Sequence, residues 1–415
     1  MYNKRTLPSG LTVLTAPLRE TQTVTVLLLV KVGSRYEEKT SNGYSHFLEH
    51  LMFKGTTKRP STLVLSRELD AVGADYNAFT GKDHTGYYIK VNAAKLELAL
   101  DLLADMIFNS LYDGAEIERE KGVIGEEINM YQDNPLMFVE DMAEEMIFSG
   151  NHLGWLISGS KQTVQAASRQ KLLAYRSQFY QPANMVLTLA GKVNPGANKL
   201  INKYFGGETE KHQPKKFEAF KTKQTAPRIK NLNKKTDQVQ AVIGWPGIGY
   251  DHPDVYAAYL LAIILGGNMS SRLFIEVRER RGLCYYIRAM NNVYQDTGCF
   301  LIQAGLDKKR VPEAVKVILG EVEKLKNQAV KPDELKRAQE FLRGKLAIEL
   351  EDSEKLADWY GKQELLSGEA LAPEEKIKKI LAVKPGDISR LAKKLLVKSR
   401  LNIATIGGPQ RLRLS

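Results

Sequence analysis

The stretch His46-Phe47-Leu48-Glu49-His50 decides how the rest of the chain is read. If it is helical, as its surroundings predict, the two histidines stand four positions apart and share one face, one turn from each other. Glu49 falls three positions after His46 on the same side. Two imidazoles so placed could hold a metal ion, with the carboxylate close enough to reach a water beside it. H-x-x-E-H is an order that hydrolytic metal sites use. The same five residues also suit a plain polar helix face.

A tetrahedral zinc needs a third protein ligand, with the fourth position left open for water. Candidate carboxylates lie in residues 118–130, Glu118-Arg119-Glu120-Lys121-Gly122-Val123-Ile124-Gly125-Glu126-Glu127-Ile128-Asn129-Met130. Glu120 and Glu127 are two helical turns apart and share a face, while Val123, Ile124 and Ile128 supply an apolar stripe to dock the helix. A solvated acidic helix is the other reading of this segment, and it suits Glu126.

With these residues in place, the chain resembles the inverted-zinc peptidases, the family that includes pitrilysin, insulin-degrading enzyme and the mitochondrial processing peptidase. In that family the third ligand follows the second histidine after a gap of about 76 residues, and a supporting glutamate stands seven positions before it. Counted from His50, those positions are Glu127 and Glu120. The resemblance thus implies one Zn2+ per subunit on His46, His50 and Glu127. It implies Glu49 as the catalytic base and Glu120 as a supporting member of the catalytic set. Met130-Tyr131-Gln132-Asp133-Asn134-Pro135 also looks like the family's sequence after the ligand helix. The likeness covers nearly the whole chain and fits a short two-domain member of bacterial type.

Size and composition agree with a globular enzyme. At 415 residues the chain is too long for one ordinary core and predicts two domains. Its 43% hydrophobic and 26% charged residues are ordinary globular values. The longest apolar runs, 26–30 and 257–265, are far too short to span a membrane. Residues 1–10 contain no apolar signal core. The two cysteines, Cys284 and Cys299, imply no disulfide framework, so a cytoplasmic location is expected. Both read as small buried hydrophobes. The net charge of +12 is spread along helices without a nucleic-acid module, which points to a solubilising surface, with no nucleic acid or membrane as partner.

Residues 206–230 read as a linker, rich in Gly, Pro and Lys with little apolar periodicity. On either side the chain repeats itself. The first half has a strand at 23–32, helices at 45–53 and 61–72, and strands at 74–80 and 85–92. The second has a strand at 238–245, helices at 255–265 and 271–281, and strands at 284–294 and 298–305. Long amphipathic helices follow in each, at 96–107 and 117–130, then at 311–328 and 332–350. The expected fold is α+β: two homologous domains, each a mainly antiparallel β-sheet with helices packed on one face. The boundaries predicted are 1–207 for the zinc-binding domain, 208–230 for the linker and 231–415 for the second domain.

Aligning the halves on Gly55 and Gly266 puts Ala257, Leu260 and Leu261 where His46, Glu49 and His50 stand. Matching the later helix pairs separately puts Ala338 and Lys345 opposite Glu120 and Glu127. Such residues cannot hold a metal, so the second half serves another purpose. Its segment 270–286 reads plainly as a basic helix ending at a glycine cap, Gly282. The family resemblance adds that an arginine and a tyrosine seven positions later come from the second domain to grip substrate. Arg278 and Tyr285 have that spacing, and both can donate to a developing oxyanion. Arg272, Arg280 and Tyr286 carry only a structural reading. Likewise, Gly73-Ala74-Asp75-Tyr76-Asn77-Ala78-Phe79-Thr80 looks like the family's edge strand, with the backbone of Asn77 and Ala78 accepting an extended peptide. The plain alternative is a solvated sheet edge. His84, His152, His212 and His252 read as surface or turn histidines.

The expectation is a zinc-dependent endopeptidase that hydrolyses peptides or processes presequence-like segments inside a dimeric chamber. The active site would be completed in trans across a homodimer. The alternative is a non-catalytic scaffold subunit of a processing complex, which has no need of four residues as specific as His46, Glu49, His50 and Glu127. A metal-binding sensor is a third class, and Glu49 argues against it because mere binding requires no base.

Overall fold

A computed structural model describes residues 2–207 and 215–409 and contains two β-sheets. In chain order the first strands are β1 (Asn3–Thr6), β2 (Thr12–Pro17), β3 (Thr23–Val30), β4 (Asp75–Thr80), β5 (Thr85–Asn92) and β6 (Met185–Gly191). They are followed by β7 (Arg228–Leu232), β8 (Val239–Pro246), β9 (Cys284–Val293), β10 (Gly298–Leu306) and β11 (Asn402–Ile406). The helices begin with α1 (Tyr44–Leu51), α2 (Thr62–Asp70), α3 (Leu96–Asn109), α4 (Gly114–Asp133), α5 (Pro135–Ile147), α6 (Lys161–Gln165), α7 (Arg169–Phe179) and α8 (Ala197–Phe205). They end with α9 (Val255–Gly266), α10 (Val311–Asn327), α11 (Pro332–Glu349), α12 (Ser353–Ser367), α13 (Pro373–Leu381) and α14 (Pro385–Leu395).

The first sheet has the order β1-β2-β6-β3-β5-β4 and the second β7-β11-β8-β10-β9. Only β2 with β6 and β7 with β11 pair parallel among the described strands; the other neighbours are antiparallel. This is the α+β architecture the sequence predicts. Strand β4 pairs with β5 from Asp75↔Lys90 to Thr80↔Thr85 and forms the edge of the first sheet.

Two compact units result. The first holds the described residues within Met1–Ile128, Trp155–Glu218 and Leu346–Ala372; the second holds those within Asn129–Gly154, Ala219–Lys345 and Pro373–Ser415. Each unit therefore includes a segment from the other half of the sequence. In the first unit, alternate residues of β3 serve two different cores, as the strand period of two requires. Val24, Val26, Leu28 and Val30 pack with Phe47, Leu48, Leu100 and Leu103 on one face. Leu27 and Leu29 point the other way, into a cluster with Leu356, Ala357 and Tyr360 of α12. Burial on both faces is why residues 23–30 form a nearly unbroken apolar run. In the second unit α5 takes the corresponding role: Val139, Met142, Ala143 and Met146 pack with Val242, Leu301, Ala404 and Ile406.

Most predicted elements agree with the observed ones to within a few residues. The predicted helix over 271–281 differs. Residues Phe274–Glu279 form a π-helix, in which the N–H of Arg280 donates to the carbonyl of Ile275, five residues back, at 2.9 Å. The turn ends near Gly282, whose φ of 57° lies in the left-handed region. His212 and Pro214 of the expected linker lie outside the described residues. Cys299 is buried and Cys284 half-buried, and neither is in a disulfide. No helix among the described residues is long and apolar enough to cross a membrane.

Candidate metal centre

Helix α1 is short, and its apolar side fixes it: Phe47, Leu48 and Leu51 are fully buried. That leaves His46, Glu49 and His50 on the side away from the core, as a 3.6-residue period dictates. Helix α4 is held by buried Ile117, Ile124 and Ile128 and presents Glu120 and Glu127. Among the described residues, one nitrogen each of His46 and His50 and one carboxylate oxygen of Glu127 all lie within 4.8 Å of one another. The Oε2 of Glu127 is 3.5 Å from His46 Nε2 and 3.4 Å from His50 Nε2. A tetrahedron with metal–ligand distances near 2.0–2.1 Å has edges of about 3.3–3.4 Å, so this donor set fits zinc.

The carboxylates around the rings set their charge. Glu120 is buried; its Oε2 is 3.0 Å from His50 Nδ1 and its Oε1 is 2.7 Å from Lys54 Nζ. Burial alone would raise the Glu120 carboxyl, but His50 and Lys54 outweigh it and hold it below the usual range. Hydrogen bonds with His46 and His50 hold Glu127 well below that range. Burial opposes charge on His50, yet Glu120 and Glu127 together raise it to about 9. With its Nδ1 turned to Glu120, His50 presents Nε2 toward Glu127, the orientation a metal ligand backed by a carboxylate adopts.

Glu49 is half-buried, and the hydroxyl of Thr80, the last residue of β4, donates to its Oε2 at 2.5 Å. Sequence reasoning missed Thr80 and Lys54. Thr80 sits within the quoted strand, but nothing in a strand's pattern tells which side chain its end will reach. Lys54 lies one helical turn beyond His50, a spacing that could have drawn notice. On β4 itself, Asn77 is exposed and Ala78 buried, and the Ala78 N–H donates to the Asn77 side chain at 2.9 Å.

In the second unit, Arg278 and Tyr285 stand together. The Arg278 guanidinium lies 4.6 Å from the Phe274 ring centre and 5.9 Å from that of Tyr285, which is 72% exposed. The π-helix and the left-handed Gly282 bring the two into reach. Their neighbours are structural, as read from sequence. Arg272 makes a bidentate pair with Glu334 at 2.7 Å, Arg280 pairs with Glu276, and Tyr286 donates to Gln240 at 2.6 Å. Ala257, Leu260 and Leu261, the counterparts of the α1 triplet, are all buried in apolar packing. His84 is a turn histidine, one of the two readings its sequence allowed. It occupies the β4–β5 turn but packs edge-on against Phe79, and burial lowers its pKa to about 3.

Comparison with known proteins finds two family models along the chain. A family model described as insulinase (peptidase family M16) matches residues 12–161, and one described as the peptidase M16 inactive domain matches residues 166–342. The chain is 34% identical over 413 residues to an uncharacterized zinc protease of Streptomyces coelicolor, covering 97% of this chain and 89% of that protein. To an uncharacterized zinc protease of Bacillus subtilis it is 32% identical over 397 residues, covering 95% and 96%. Its fold superposes on the crystal structure of a protease from Helicobacter pylori with a TM-score of 0.93, 25% identity and 99% coverage of both chains.

Proposed function

Because the chain belongs to the M16 peptidase family, we propose that it is a zinc-dependent endopeptidase of the H-x-x-E-H type, binding one Zn2+ per subunit through His46, His50 and Glu127. The observation that carries this reading is the meeting of those three donors, with Glu49 next to His50 on the helix that bears both histidines. When bound, the metal supplies Lewis acidity, polarising the scissile carbonyl and acidifying water. Glu49 accepts the proton of the attacking water and hands it to the leaving amine. Glu120 keeps His50 turned toward the metal. Asn77 and Ala78 receive the peptide along the exposed edge of β4, and Arg278 and Tyr285 donate to the oxyanion. In this reading residues 1–207 are the zinc-binding domain, and residues 231–415 supply the gripping pair. Cytoplasmic placement belongs to it as well, supported by two cysteines that form no disulfide.

Digestion of a mixed peptide library, with and without a chelator, tests the reading and reports size and sequence preference together. The expected result is cleavage that the chelator abolishes and added zinc restores. A zinc-loaded chain that leaves every peptide intact points instead to the scaffold subunit.

Long members of the family carry twice as many domains in one chain, whereas 415 residues hold both the metal set and the Arg–Tyr pair once. The arrangement consistent with this is a two-fold homodimer around a chamber, each metal set completed by the partner's Arg278 and the partner's Tyr285. Mixing Glu49→Gln chains with Arg278→Ala/Tyr285→Phe chains then restores roughly a quarter of wild-type activity, since half the randomly paired dimers are mixed and one of their two sites is intact. No recovery despite demonstrated subunit exchange would refute sharing in trans.

A further inference from the structure

We propose that Glu37 is a positioning residue for this reaction, capping the metal-bearing helix from outside and thereby fixing where His46, Glu49 and His50 stand. The inference rests on the peptidase reading above. It begins with Gly43, the N-cap of α1. A helix start leaves backbone N–H groups without partners, and a Ser, Thr, Asp or Asn side chain at that position ordinarily accepts from them. Gly43 has no such side chain, and none can be added. Its φ is +98°, and a Cβ there would lie 2.6 Å from the carbonyl oxygen of Ser158.

Glu37 fills the role. Its carboxylate is fully buried and accepts from the Gly43 N–H at 2.7 Å, the Ser45 N–H at 2.8 Å and the Asn42 side chain at 3.0 Å. These three donors are neutral, and two of them belong to the helix start, so its positive end faces the carboxylate. Burial pushes the Glu37 carboxyl up to about 7 against those hydrogen bonds. A group so costly to bury is expected where it holds something in register.

What it holds is the first turn of α1, which includes His46. The same strap is pinned on its other side. Ser34 and Arg35 donate their N–H groups to the carbonyls of Gly81 and Lys82, and the Arg35 guanidinium forms a buried ion pair with Asp83 at 2.7 Å. Residues 81–83 directly follow Thr80, whose hydroxyl holds Glu49. The segment 34–37 therefore ties the end of β4 to the start of α1, the two elements between which the base is suspended.

The test compares wild type, Glu37→Gln and Glu37→Asp in the full chain. Thermal melts establish folding, metal-stripped protein is loaded with Co2+ and its visible absorption recorded, and kcat and KM are measured on one cleaved peptide. Gln offers one acceptor oxygen and turns an NH2 group on N–H donors. The expected result for the folded Gln variant is a 10- to 100-fold fall in kcat with KM within about threefold, together with a weakened or shifted Co2+ spectrum. Glu37→Asp keeps the carboxylate one methylene short and should fall between. A folded Gln variant with wild-type kcat and a wild-type Co2+ spectrum overturns the proposal. If Gln prevents folding, the Asp variant decides by the same two readouts: wild-type values overturn, reduced kcat with an altered spectrum supports. A wild-type chain that neither takes up Co2+ nor cleaves peptide overturns the peptidase reading, and this inference with it.

Discussion

Replacing Glu49 by Gln lowers peptide turnover by roughly two to four orders of magnitude, the usual worth of a general base, while zinc content stays near that of wild type. The side chain keeps its length and its place on α1, and it can still accept from Thr80 through its amide oxygen. What it loses is the ability to take a proton. Glu49 lies outside the converging donor set of His46, His50 and Glu127, so metal retention is not expected to follow activity. Metal analysis beside single-turnover cleavage checks both halves. Undiminished turnover in a zinc-loaded variant would assign the base to another residue.

Removing two of the three donors has the larger effect on the metal. The His46→Ala/His50→Ala chain should retain less than about a tenth of an equivalent of zinc and show no chelator-sensitive cleavage, because one carboxylate cannot hold the ion against water. Glu127→Gln should be intermediate, keeping both imidazoles but losing charge. Full zinc in the double variant would sink the ligand assignment. The metal-free wild type adds a pH signature. His50 is raised to about 9 by Glu120 and Glu127, so its contribution to stability is complete below its unfolded value near 6.5 and is lost as pH rises through 9. Melts of stripped protein should therefore fall across that window by at most roughly 3 kcal/mol, a fall the double variant lacks.

Much of this was legible beforehand, for reasons that differ by element. Strands β4 and β5 follow from their bounding turn residues, and α1 and α4 from apolar residues at helical spacing. His46, Glu49 and His50 are neighbours in sequence, so a helical period suffices to group them. Glu127 is far along the chain; a seven-residue spacing put it on a face with Glu120, and only the family likeness attached it to the histidines. The residues that were missed act through contacts no local period encodes. Thr80 meets Glu49 across the gap between a strand end and a helix. Glu37 reads as one more charged residue in a loop until the glycine at the helix start is seen to be irreplaceable. The π-helix at 274–279 lies within a stretch that reads as an ordinary helix, and hydrogen bonding to the fifth residue back distinguishes it.

The exchange of helices between the two halves bears on how this chain is made. The strands of the first sheet are all synthesised by Gly191, yet the face bearing Leu27, Leu29, Val186 and Ala190 is closed by Leu356, Ala357 and Tyr360. On a ribosome that adds about 5–20 residues per second, this separation leaves an apolar sheet face uncovered for many seconds. The N-terminal half is thus no independent folding module, and its burial waits on the last part of the chain. Truncation after residue 207 would expose that face permanently. For the growing polypeptide, the hazard is aggregation during translation, and holdase chaperones that shield apolar strands are the natural remedy.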